Sequence, residues 1–196
     1  MRLQFQYNKI SLQQVEKGLK MRLAALPTIR SKESALRNEV KLLHHKTAEL
    51  RQHYQNELNS YAAFETLWQE WEPNLLTVKQ VHTQTVRFAG VACPEYDHTE
   101  FEVAPVAFFT RPLWFAQGIE LLKSLTEKQI QIHLLQTKAE LLDTERKKTT
   151  QKLHLYERVQ IPEHEEAIRK IKRYLEDEDH LAKAAQKLIK LKKENT

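Results

Sequence analysis

The chain of 196 residues is short of the residues that make turns, with only 3 Gly and 6 Pro. Average usage would supply roughly 14 Gly and 10 Pro in such a length, so turns must be few and elements long. That excludes a many-stranded sandwich or a doubly wound sheet. Gly18, Gly90 and Gly118 lie far apart, so neither GxxxxGK[ST] nor GxGxxG occurs and a phosphate-cradling loop is excluded. A single cysteine, Cys93, allows no internal disulfide and no cysteine-rich zinc site. No run approaches about 18 apolar residues, and Met1–Tyr7 lacks an apolar signal core, so the chain is expected to be soluble and cytoplasmic.

What the sequence holds in quantity is charge, 29% of residues, and its sign changes along the chain. Residues 1–60 carry 11 basic and 5 acidic side chains, residues 61–110 carry 2 and 7, and residues 111–196 carry 18 and 14, within a net charge of +5. Basic ends flank an acidic centre. In the last third the lysines and arginines alternate with Glu and Asp at helical spacing, the pattern of a solvated helix face.

Four of the prolines (Pro73, Pro94, Pro105, Pro112) and two of the glycines fall between residues 73 and 118, between long stretches of Leu, Glu, Lys, Gln, Arg and Ala. Leu12, Val15, Leu19, Leu26, Leu36, Val40, Leu43, Thr47, Leu50, Tyr54, Leu58 and Tyr61 recur at steps of three and four or their sums. That is the narrow seam of a coiled coil. A second seam runs through Ile119, Leu122, Ile130, Leu134, Leu141, Leu155, Ile168, Ile171, Leu175, Leu181, Ala185 and Leu188, with a polar interval at Thr144–Gln151. The expected fold is mainly α: a long antiparallel two-helix coiled coil with a short central β-hairpin region. Residues 1–72 form the N-terminal arm, 73–117 the centre, and 118–196 the C-terminal arm. Each arm would be roughly 90–110 Å long. Matched arm lengths favour pairing within one chain over a homodimeric tether. Pro27 and Pro162 should each kink or interrupt a helix.

Eleven of the 16 aromatic residues lie between Tyr61 and Phe115, including Phe64, Trp68, Trp71, Phe108, Phe109 and Trp114, enough to close a knob at one end. Inside it, Val86–Val91 and Thr99–Val103 alternate apolar and polar residues, with the turn-prone Pro94–His98 between them. Such a hairpin is marginal alone and should pack on the helix ends or on a partner.

Sites for catalysis are hard to assemble. His44 and His45 are adjacent, His45 and His53 are eight apart, and His164-Glu165-Glu166-Ala167-Ile168 lacks the second histidine of HExxH, so no metal or cofactor is expected and the histidines read as solvated. Cys93 reads as a spare loop thiol, and Glu176–Asp179 as a solvated face. The tail Lys183, Lys187, Lys190, Lys192 and Lys193 carries the strongest local charge. No aromatic interleaves with it to stack bases and no bulky apolar face accompanies it to enter a bilayer, which leaves a coiled-coil flank or an acidic protein partner.

Three segments together resemble the D subunit family of rotary V-type ATP synthases. Lys152-Leu153-His154-Leu155-Tyr156-Glu157-Arg158-Val159-Gln160-Ile161-Pro162, followed by Glu165, Ile168 and Ile171, is similar to a family signature in which Lys and Leu-Glu precede Ile-Pro. Ala89-Gly90-Val91-Ala92-Cys93-Pro94 is similar to the family's central Gly-Val-x-Val-Pro. Lys32 and Leu36 fall in a first-helix motif, from which Arg30, Glu33, Ser34 and Ala25 depart. The resemblance implies a non-catalytic rotor component at the centre of the stalk, cytoplasmic and peripheral to the membrane. Its implied partners are the A and B subunits of the catalytic hexamer, the F subunit and the connector on the membrane ring, with no nucleic acid and no membrane insertion. Expected partner-facing residues are Lys183, Lys187, Lys190, Lys152, Glu157, Ile161, Pro162, Gly90, Val91 and Pro94. The alternative of another class is a basic coiled-coil tether for nucleic acid or anionic lipid.

Overall fold

A computed structural model describes residues 3–61, 65–72, 74–105, 112 and 114–194. Along it run α1 (Lys9–Ser60), the short α2 (Glu65–Trp68), β1 (Leu76–Phe88), β2 (Val91–Val103), α3 (Trp114–Leu155), a π-helical turn (Tyr156–Gln160) and α4 (Ile161–Glu194). The fold is mainly α with one antiparallel hairpin, as the sequence pattern leads one to expect. Pro73, Phe64, Phe108 and Phe109 lie outside the described residues, so the full aromatic knob is not among them.

Asn8 starts α1: its Oδ1 accepts the Ser11 N–H at 2.7 Å, satisfying a donor that the first turn leaves open. From there one row of buried and half-buried positions runs 12, 15, 19, 22, 26, 29, 33, 36, 40, 43, 47, 50, 54 and 57, with half-buried 11, 16, 18, 25, 32 and 39 at its flanks. Steps of three and four alternate without a slip, the heptad that keeps one face toward a partner helix. Pro27 lies within α1 and is exposed, so its ring displaces nothing from the seam. Leu58 and Tyr61, expected on the seam, are both exposed, and Glu57 takes the position.

The chain divides into two compact units, residues 1–33 with 148–196, and residues 34–147. In the first, Val15 packs with Ala167 and Ile171, with Leu3, Phe5, Leu12, Ile168 and Leu175 around them. Arg22 bonds Gln160, Arg30 pairs with Glu157, and Thr150 donates to Glu33. Partner numbers fall as those of α1 rise, so the helices run antiparallel. In the second unit Leu36, Val40 and Leu43 meet Ala139 and Leu142, while Glu57 pairs with Lys128, again antiparallel. Leu142 and Leu153 are buried in place of the expected Leu141 and Leu155, which are exposed.

The hairpin belongs to the second unit and differs from expectation in its turn. Phe88 pairs with Val91, so the chain reverses at Ala89-Gly90, and Pro94–His98 lies inside β2. Both turn residues have positive φ, 48° and 85°, as a two-residue turn matched to strand twist requires. The strands are long, Leu76–Phe88 and Val91–Val103, and their inner face lies on the helix pair instead of on its end. Cys93, 1% exposed, sits with Phe88 and Val91 against Leu36, Leu43, Ala139 and Leu142, while Leu75 and Leu76 meet Phe115 and Ile119. Cys93 is therefore a core residue and not a loop thiol; burial pushes its pKa up, against a smaller lowering by Lys138.

Ala89 holds a conformation that costs a non-glycine residue about 1 kcal/mol. Ala89→Asn or Ala89→Gly is expected to leave the fold unchanged and raise the thermal midpoint by a few degrees, measured by circular dichroism. A lowered midpoint in both variants would contradict this turn.

Candidate partner-binding surfaces

The expected partner-facing residues occupy three places. Lys152, Glu157, Ile161 and Pro162 surround the π-helical turn, Gly90, Val91 and Pro94 form the hairpin tip, and Lys183, Lys187 and Lys190 lie near the end of α4.

The π-helical turn has a cause that can be read in the seam. Before it, Leu125, Ile132, Ala139 and Leu153 are buried on one heptad row, and Leu142 and Thr149 on the other. Continued from Leu153, that pattern would keep Gln160 and Ala167 inward, where small Ala167 is still buried, but would also bring Lys170 and Tyr174 inward, and both of these are exposed. Instead Ile161, His164, Ile171 and half-buried Ile168 and Leu175 face α1, one residue later. One residue corresponds to about 100° of helix rotation. The turn absorbs it: the Ile161 N–H goes to the Tyr156 carbonyl, five residues back. Pro162, next in line, has no N–H to give, so the ladder changes register where it is already interrupted.

Side chains fix the turn to α1. Arg22 Nε donates to Gln160 Oε1 at 2.8 Å, and Arg22 Nη1 to the Gly18 carbonyl at 2.9 Å. The Gln160 carbonyl accepts from His164 Nδ1 at 2.6 Å. A Cβ on Gly18 would lie 3.1 Å from His164 Nε2, so glycine is what admits the buried imidazole. His164, expected to be solvated, is instead 5% exposed and serves packing. Ile161 is also buried, hence unavailable to a partner in this form, whereas Lys152 and Pro162 are exposed and Glu157 is half-buried on Arg30. Lys152 Nζ lies 5.9 Å from the Tyr156 ring centre.

At the hairpin tip Gly90 is exposed with open space around it, while Val91 and Pro94 are half-buried. Nearer the base, Trp68, Trp71, Trp114 and Phe115 form a contiguous ring cluster with centroids 4.6–6.1 Å apart. An open cleft of about 720 Å³ beside it is lined by Tyr61, Leu67, Trp68, Trp114 and Leu121, among others.

The end of α4 is different in kind. Every residue from Glu176 to Leu191 is exposed. Leu181 (73% exposed), Leu188 (64%) and Leu191 (55%) stand on one stripe at steps of seven and three, yet nothing among the described residues covers them. This departs from the expectation that the seam is paired through Leu188. Lys183 pairs with Asp179 at 2.8 Å, a hydrogen bond that holds the Asp179 carboxyl below its ordinary range. Lys187 and Lys190 form no ion pair among the described residues, and the side chains of Lys192 and Lys193 lie outside them. The result is an amphipathic helix end with an apolar stripe flanked by lysines and no cover among the described residues.

A family model described as the D subunit of ATP synthase matches residues 11–191. The chain belongs to the ATP synthase D subunit family. The V-type ATP synthase D subunit of Borreliella burgdorferi (strain ATCC 35210 / DSM 4680 / CIP 102532 / B31) is 28% identical over 189 residues, covering 93% of this chain and 91% of that protein. No helix among the described residues of this family member is long and apolar enough to cross a membrane.

Sequence spacing misses one cluster. His82 and His98 are cross-strand partners, and their nitrogens and a Glu100 oxygen lie within 4.8 Å of one another. Only the register reveals it, and the register depends on a turn whose sequence signal points elsewhere.

Deleting Val159, an exposed residue of the π-helical turn, removes the one extra residue, so it should restore α-helical bonding while Ile161, Ile168 and Ile171 keep facing α1. Unchanged amide protection around Val15 and Ile171 is expected, whereas inserting one more residue after Val159 should turn those isoleucines away, at about 2–5 kcal/mol for a buried Ile lost, and speed exchange there. Lost protection in the deletion variant would show that the turn does not absorb an extra residue.

Proposed function

We propose that this chain is the non-catalytic central-stalk rotor of a V-type ATP synthase or ATPase, passing torque between a catalytic hexamer of A and B subunits and the membrane ion ring. The uncovered stretch Glu176–Leu191 carries the reading. Its leucines need an apolar sleeve, and its lysines suit an acidic or carbonyl-lined wall that is touched lightly enough to turn. Family membership supports it, as does the antiparallel pairing of α1 with α4 in one unit and with α3 in the other, which covers helices too long to bury their seams alone.

The outer face of the hairpin and the aromatic cleft are the surfaces for the F subunit and the connector, because both are exposed while the hairpin's inner face is taken up by the helix pair. In this reading ATP chemistry belongs to the hexamer. The protein sits at the cytoplasmic side, peripheral to the membrane through the complex. A one-residue register change on the returning helix and none on α1 gives the paired helices unlike outer faces. Three equivalent catalytic interfaces then meet three different faces and adopt three conformations. A homodimeric tether fits less well, since each seam up to Leu175 is covered within the chain.

Co-expression with the A, B and F subunits should yield one complex that hydrolyses ATP. In it, Lys183→Glu/Lys187→Glu/Lys190→Glu is expected to lower coupled ATPase activity several-fold while the free chain keeps its helix content. Full coupling in the triple variant, or a free chain that is a dimer of twice the mass by light scattering, would overturn the assignment.

A further inference from the structure

We propose that the exposed face of the hairpin holds a divalent transition-metal site formed by His82, His98 and Glu100. One ring nitrogen of each histidine and one carboxylate oxygen lie within 4.8 Å of one another, and His82 Nε2 is already 3.1 Å from Glu100 Oε1. Nitrogen and oxygen ligands of Zn²⁺ stand at about 2.0–2.2 Å, which separates neighbouring ligands by about 3.4 Å in a tetrahedron. Closing from 4.8 Å requires only small side-chain rotations on an open strand face. Two imidazoles and a carboxylate are the donor set of borderline ions such as Zn²⁺, Ni²⁺ and Cu²⁺.

The strand register brings the three together. His82 opposes His98, and Gln80 opposes Glu100, so His98 and Glu100 occupy one face of β2 at a spacing of two. Register irregularities on both sides, between Val78 and Gln80 and between His82 and Thr83, set this window apart from the regular ladder. The imidazoles stack with centroids 4.3 Å apart. His98 Nδ1 lies 3.0 Å from Asp97 Oδ2; a carboxylate only accepts, so Nδ1 carries the proton and Nε2 keeps its lone pair for a metal, the orienting role carboxylates play at metal-bound histidines. Glu100 is held in its ionised form chiefly by the His82 hydrogen bond, with Lys79 Nζ 3.6 Å away adding to it. A bound cation would take the place of the proton between His82 and Glu100 and push Lys79 toward solvent. Three protein ligands leave a coordination position open, to water or to a residue of a docked protein, so occupancy would tie β1 to β2 on the surface assigned to partners.

Titration of the full-length chain with Zn²⁺ by calorimetry tests this, supported by the visible absorption of Co²⁺. One ion per chain is expected, with affinity reduced at least ten-fold in His82→Ala, His98→Ala and the near-isosteric Glu100→Gln. His45→Gln should be unaffected, because His45 and Glu49 form a separate exposed pair. Amide exchange of the hairpin should slow with Zn²⁺ in the wild-type chain only. Wild-type affinity in the His82→Ala/His98→Ala double variant, loss of binding in His45→Gln, or no Zn²⁺ binding at millimolar concentration would overturn the site.

Discussion

The heptad phase between α1 and its antiparallel partners is the constraint on which everything else rests. Helices of 52, 42 and 34 residues cannot hide their apolar faces singly, so each must keep one stripe toward another for its whole paired length. α1 does so without interruption from Leu12 to Glu57. The returning strand of the coil does not, because its sequence carries one extra residue before Ile161. A π-helical turn beside Pro162 resolves the mismatch, and Arg22, Gln160, His164 and Gly18 lock it.

Function follows from where this phase is satisfied and where it is left open. Between Val15 and Ile171, and between Leu36 and Leu142, apolar area is removed from water within the chain. Beyond Leu175 the same stripe continues with no cover among the described residues; in the proposed rotor role the energy available from burying it goes to assembly. The ion pairs along the helices, such as Lys172 with Glu16 and Lys170 with Glu166, are exposed and add little to stability; they specify which faces stay wet.

Much of the helical fold is legible in the sequence because a narrow seam repeats at three and four residues, which few other structures require. Leu36, Val40 and Leu43 can be placed from spacing alone. The second arm is harder: Leu141 and Leu142 both look apolar, and only the phase of a continuous heptad tells which is inside. Polar members of the seam such as Glu33 and Thr149 leave no hydrophobic signal at all, whereas Thr47 can be placed by the spacing of its neighbours. In the hairpin, Pro94 draws the expected turn to the wrong place, since proline usually marks one; it is tolerated because a two-stranded sheet has only edge strands. Ala89-Gly90 is a weak turn signal, and with the turn misplaced, the pairing of His82 with His98 stays hidden. The lysines of α4 are visible in sequence, but their setting beside an uncovered apolar stripe is not.

In the proposed rotor role the end of α4 is kept open for the catalytic hexamer. Amide hydrogen exchange of residues 176–191 in the free chain and in the complex assembled with A and B subunits tests it most directly. Fast exchange in the free chain that becomes strongly protected on assembly is the expected result. Unchanged exchange there, with new protection confined to other segments of the assembled chain, would contradict it.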